Sequence, residues 1–148
     1  MSVFSKRTWS AIISMIALNG ILTPALATEK YWLAHEAELV VVGTYHHKWA
    51  YPWFDGWHVS GRLDVDEVLF GRVQTQQIDY QLICRWNAGC RRWPAPRMAE
   101  WFGNKGIWFL RPVGHSIYGP PGNGGIDPGF RTVEQRLDFK QYISLHKR

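Results

Sequence analysis

Imidazole, guanidinium and indole groups gather at a few places in this 148-residue sequence, and each gathering implies a different chemistry. His46, His47 and His58 are of the right type to hold a borderline metal. Adjacent strand residues point to opposite faces, however, so His46 and His47 cannot chelate from one surface, and His58 brings the set to two ligands at best. A zinc site needs three or four, and no neighbouring carboxylate completes the set, so no metal is expected. His35-Glu36-Ala37-Glu38-Leu39 opens like a zincin helix but lacks the second histidine. Asp64 and Asp66 could pair for acid–base work, yet their alternation with His58, Ser60 and Arg62 reads as a solvated strand face. There is no nucleophile elbow, phosphate loop or dinucleotide fingerprint. The residues point to no catalytic set and no cofactor.

The aromatic and basic residues are more informative. Trp49, Tyr51, Trp53, Phe54 and Trp57 surround Pro52 and Gly56 in what should be the first hairpin. Arg85, Trp86, Arg91, Arg92, Trp93, Arg97 and Trp101 interleave guanidinium groups with indoles, opposed only by Glu100. Such surfaces stack on sugar rings and pair with phosphate or carboxylate groups. Trp49, Trp53, Trp57, Arg91, Arg92 and Trp93 are the candidate ligand contacts. The competing reading is that the indoles cover one end of the core while the arginines stay solvated. Cys84 and Cys90 lie within this region. In an oxidising compartment they close a small disulfide loop; otherwise they are two free thiols, the first buried.

The start of the chain supports such a compartment. Lys6 and Arg7 precede a mostly apolar stretch over residues 9–22, and Ala25-Leu26-Ala27 is a small-x-small site, the three-part order of a secretory leader cut after Ala27. No apolar run is long enough to span a membrane, so the mature chain is expected to be periplasmic or secreted. The formal charge is +5, and the leader carries two basic residues and no acidic ones. The small surplus left after export makes nucleic acid an improbable partner. An envelope protein or an anionic glycan is expected instead.

The elements that must position these groups are mainly β. Residues 28–38 read as a short helix. Leu39-Val40-Val41-Val42 starts a strand covered on both faces and reaching Tyr45 or Trp49. Across residues 57–69, Trp57, Val59, Gly61, Leu63 and Val65 share one face, while His58, Ser60, Arg62, Asp64 and Asp66 share the other. A third strand runs through Ile78, Tyr80, Leu82 and Cys84, a fourth through residues 106–111, and Ile117 and Tyr118 seed a short fifth. Five glycines and three prolines in residues 119–129 exclude a regular element. A closing helix over residues 132–146 places Val133, Leu137, Phe139, Tyr142 and Ile143 on one stripe, with Thr132 as a candidate N-cap. The expected architecture is a single domain over residues 28–148, a small five-stranded OB-like barrel with a short N-terminal helix and a C-terminal helix.

Three stretches carry a family resemblance: residues 37–45 (AELVVVGTY), 63–71 (LDVDEVLFG) and 103–110 (GNKGIWFL). They resemble the OB-fold barrels of the netrin/tissue-inhibitor-of-metalloproteinases-like group found in exported bacterial proteins. The likeness covers most of residues 37–112 and rests on strand hydrophobics and turn glycines, so it implies fold more than function. Inhibitors in that group chelate a protease zinc through an N-terminal cysteine. This chain would begin at Thr28-Glu29-Lys30 after the cut, with no cysteine before Cys84, so the resemblance does not carry that mechanism here. The residues themselves, with no catalytic set and two aromatic clusters, point to an exported, non-enzymatic binding module of OB type; the alternatives are a protein–protein interaction or inhibitor-like protein and an enzyme with an unrecognised site.

Overall fold

The computed structural model describes residues 24–88, 90–91, 101–122 and 127–147. Most of the expected leader lies outside them, and its cut point falls inside the first helix, α1 (Pro24–Glu36). The body described below is the unit Tyr31–Arg148, with Met1–Lys30 a separate unit.

Six strands follow α1: β1 (Leu39–Trp53), β2 (Gly56–Phe70), β3 (Gln77–Arg85), β4 (Lys105–Gly114), β5 (Ile117–Gly119) and β6 (Phe130–Thr132). The chain closes with α2 (Arg136–His146). The sheet order is β1-β2-β3-β5-β4-β6, and β1 also pairs with β4, so five strands close a ring. Every pairing in it is antiparallel except β3 with β5. The fold is therefore mainly β with two helices, as expected. The sixth strand goes beyond the five expected from the sequence. It is three residues long and directly follows the glycine- and proline-rich loop, too short to show a period of two. It is held because Phe130 lies against Trp108, ring centroids 5.0 Å apart.

Alternation decides what each strand buries. Inside the ring, Leu39, Val41, Tyr45, Val59, Leu63, Tyr80, Leu82, Trp101, Trp108 and Leu110 form one core. The intervening residues Val40, Val42, Ile107 and Phe109 face outward, where Leu33 and Ala34 from α1, Ala37 just after it, and Phe139 and Ile143 from α2 cover them. This is why β1 opens with an unbroken apolar run: both its faces are dry. The ring interior is filled mainly by aromatic groups. Tyr45 is fully buried and meets Trp101 at 4.6 Å, Tyr80 at 5.5 Å and Trp108 at 5.7 Å between centroids. Two of the buried polar tips find backbone acceptors: the Tyr80 hydroxyl donates to the Pro128 carbonyl (2.7 Å) and the Trp108 indole to the Gly43 carbonyl (3.1 Å), whereas the buried Trp101 indole N–H has none among the described residues.

The closing helix differs from the stripe read in the sequence. Residues 133–135 form a 3₁₀ turn, α2 proper starts at Arg136, and Thr132 makes no side-chain cap bond. Only Phe139 and Ile143 of α2 are buried; Leu137 is exposed, because two residues of α-helix turn it about 200° from Phe139, onto the opposite face. α2 is tied down instead by polar contacts. Arg136 grips Glu67 of β2 with two bonds of 2.6 and 2.7 Å, and Tyr31 donates to Asp138 at 2.7 Å while stacking on Tyr142.

Two outcomes test this packing. A Cβ at Gly61 would fall inside the Tyr45 ring, so Gly61→Ala should cost about 1–3 kcal/mol in urea unfolding, while Leu137→Ala should stay within about 0.5 kcal/mol. The Arg136 hydrogen bonds hold the Glu67 carboxyl below its ordinary value of 4.5. Its stabilising contribution is thus full above that value and is lost as pH falls through the lower folded value. Arg136→Gln should flatten the acid limb of a stability–pH curve below about pH 4.5 and leave its shape at neutral pH unchanged.

Candidate functional site

The candidate ligand contacts sit on the long hairpin of β1 and β2, and a single bulge decides where they point. His47 pairs with Gly61 and Trp49 with Ser60, so Lys48 is an extra residue in β1. Up to His47 the inward positions include Tyr45 and the outward ones His46. Beyond the bulge Ala50 and Pro52 turn inward with Val59 and Trp57, and Trp49, Tyr51 and Trp53 turn outward. Without that extra residue the three rings would lie on the inner face, since a slip of one residue exchanges the faces of a strand.

The outer face of β1, β2 and β3 can then be followed in rows toward the hairpin tip. His46, Arg62 and Asp79 form one row; Trp49, Ser60 and Gln81 the next; then Tyr51, His58 and Ile83; finally Trp53, Gly56 and Arg85. The rows nearer the ring are charged and internally paired: His46 meets Asp64 at 2.9 Å, Arg62 meets Asp64 at 3.1 Å, and Lys48 meets Asp79 at 2.8 Å. The rows nearer the tip are aromatic. Trp49 stacks on Tyr51 (5.1 Å), Tyr51 stacks on His58 (5.2 Å), and Trp53 meets Tyr51 edge to face (6.3 Å). Trp53 is 56% exposed and Phe54, at the turn, 84%. Exposure of this size at adjacent large rings is unusual for a free surface.

The tip is held rigid from below. Trp86, in the 3₁₀ turn that follows β3, donates its indole N–H to the carbonyls of both Trp53 (3.1 Å) and Phe54 (3.0 Å), and its backbone N–H to the Asp55 carbonyl (3.2 Å). Asp55 accepts from His58 at 2.8 Å, and that bond holds its carboxyl below the usual range. Gly56 is required here: a Cβ would fall on the Cys84 carbonyl, where β3 passes close beneath. Cys84 and Cys90 are joined by a disulfide, Cα atoms 5.6 Å apart, and both are buried. The Cys90 N–H reaches the Arg85 carbonyl (3.4 Å), which keeps the exposed Arg85 and Arg91 at the hairpin end.

Trp49, Trp53 and Arg91 of the expected contacts are thus exposed around this end. Trp57 is not with them: alternation turns it to the inner face, where it packs against the core and meets Trp86 edge to face at 6.3 Å. Arg92 and Trp93 lie outside the described residues. Trp101 belongs to the core, 1% exposed, rather than to the basic surface. Phe54, Tyr51 and Arg85 join the site; Phe54 at the turn between two strands was the legible signal. The three histidines do not converge. His46 faces Asp64, His58 faces Asp55, and His47 stacks on Phe102 (4.7 Å) near the Tyr45 hydroxyl, with its pKa lowered by partial burial. A polar groove of about 430 Å³ lined by Asp64, Val65, Asp66, Thr75, Gln76 and Gln77 lies several rows away, and Lys105, His46 and Arg62 already take its two carboxylates.

Peptide mapping without reductant should recover Cys84 linked to Cys90. Replacing both with Ala should lower stability by about 2 kcal/mol, the loop-closure value for so short a ring. Acrylamide quenching of indole fluorescence should fall in Trp49→Phe/Trp53→Phe and hardly change in Trp108→Phe, which is buried. Comparison with family models, with curated proteins and with solved structures finds no match to this chain.

Proposed function

We propose that this chain is an exported, non-enzymatic binding module of OB type, a relative of the netrin-like group, whose ligand surface is the β1–β2 hairpin end. The observation that carries the reading is the last rows of the outer face. Trp49, Tyr51 and Trp53 stand exposed at the end of β1 and Phe54 on the hydrogen-bonded turn, with Arg85 beside Trp53 across the side-chain-free Gly56. Rings and guanidinium groups together favour an anionic ligand that also offers apolar or ring surface. Arg85 and Arg91 form no close ion pair among the described residues; Asp55, beside the rings, is hydrogen-bonded to His58 and feels the Arg85 charge only as a weaker, longer-range attraction. The charged rows behind the tip are consumed in internal pairs, which supports binding over acid–base work.

Export fits the same surface. Disulfides persist in oxidising compartments, and the Cys84–Cys90 bond lies directly under the hairpin. Among the described residues, no helix is long and apolar enough to cross a membrane. We read the periplasm or the exterior as the location, with an anionic envelope component as the partner.

The test is retention on two anionic probes, an immobilised carboxylated or sulfated polysaccharide and phosphatidylglycerol vesicles, at low salt. Arg85→Gln/Arg91→Gln combined with Trp49→Ala should weaken retention on the bound probe by at least tenfold, with most of the remainder lost at high salt. Equal retention of variant and wild type on every probe would refute the reading.

A further inference from the structure

We infer that the hairpin apex is a lipid-interface anchor. Trp53 and Phe54 enter the headgroup region of an anionic bilayer, and Arg85 and Arg91 meet its phosphates. This rests on the hairpin end being the ligand surface and names what that surface meets.

Three features favour a bilayer over a soluble glycan or a protein strand. The first is ring geometry. A sugar needs an open ring face, but Trp49, Tyr51 and His58 are stacked on one another rather than laid side by side as a platform. What projects furthest is the pair Trp53 and Phe54 at the turn, the most exposed aromatic groups among the described residues. Indole and phenyl rings of this kind settle at the boundary between headgroups and acyl chains.

The second feature is the state of the backbone at the apex. A turn entering a layer poor in water must have its carbonyls satisfied beforehand. Here the carbonyls of Trp53, Phe54 and Asp55 all accept from Trp86, and the Asp55 carboxylate accepts from His58. A turn intended for open water has no need of such cover, since water supplies the donors. These polar groups of the apex already have hydrogen-bond partners within the protein, and the apolar rings are left outside.

The third feature is the charge and the edge. Arg85 shares a row with Trp53, and Arg91 follows the cysteine tied beneath it, so two exposed arginines lie at the same end of the sheet as the rings. Basic residues so placed are drawn to anionic lipid. The outer edge of β1 near the tip carries Pro52 and the Lys48 bulge, both of which obstruct an added strand from a protein partner.

The exported chain, cut after Ala27 and so without the leader and its Trp9, and variants with the same start should be mixed with vesicles of phosphatidylglycerol and phosphatidylethanolamine, then with neutral phosphatidylcholine vesicles. Wild type should sediment with the anionic vesicles, and lipids brominated in the acyl chain should quench its indole emission. Trp53→Ala/Phe54→Ala should weaken the partition roughly ten- to a hundred-fold. Arg85→Gln and Arg91→Gln should each weaken it about fivefold and reduce its salt dependence. Leu137→Asp, an exposed apolar residue on α2, should bind as wild type does. Phe54→Asp gives a second apex variant, and circular dichroism checks that each is folded. Partition unchanged in both apex variants, or equally lost in Leu137→Asp, would overturn the inference. So would absence of bromolipid quenching. Capture by an anionic polysaccharide without vesicle binding would sink the anchor while leaving the binding module; silence with both would sink the two together.

Discussion

One residue of register, Lys48 in β1, governs the outward character of this protein. The strand must do two jobs along its length. Residues 39–42 lie between the ring interior and the helices, dry on both faces; by His46 the outer face meets solvent. The bulge between His47 and Trp49 then exchanges which side chains take each face. On the ring side, Tyr45 fits into the space that Gly61 leaves empty, and the aromatic interior builds on it. On the tip side, the same step turns Trp49, Tyr51 and Trp53 away from that interior. The core and the exposed surface are thus alternative destinations for similar side chains, sorted by a local backbone irregularity.

A hairpin reaching past the ring would ordinarily fray, because a two-stranded ribbon is marginal by itself. Here β3 continues beneath β2 as far as Gly56, and the disulfide fixes the chain that leaves β3 to the strand it came from. Trp86 then fastens the turn through three hydrogen bonds. Rigidity at this place matters for binding, since groups that are already ordered lose less entropy on contact. The exposed rings are costly to keep in water, and the surrounding structure holds them there with unusual completeness.

Much of this was legible in the residue order. The two-sided burial of residues 39–42 and 107–110, the single-sided alternation of 57–65 and the Cys84–Cys90 link all follow from period and compartment. Trp57 shows the limit within one motif: its alternation with Val59 and Leu63 already placed it inward, yet proximity in sequence to Trp53 grouped it with the surface. Trp101 shows a second limit. It lies among arginines in the sequence, and only the closed ring reveals that its indole fills the interior beside Tyr45. The sixth strand and the 3₁₀ start of the closing helix were hidden because segments of three residues carry no measurable period.

Composition and periodicity, taken alone, determined that the chain is mainly β, that its apolar faces must close on one another, and that aromatic and basic groups cluster near a hairpin and a cysteine loop. Those properties depend on neighbours within a few residues. Which rings face inward, which stay outside, and which carbonyls are covered depended on pairings between distant segments: the extra residue opposite Gly61 and Ser60, the passage of Cys84 under Gly56, and the reach of Trp86 to the turn. No local rule contains those distances, because each exists only after the strands have found their register and the ring has closed.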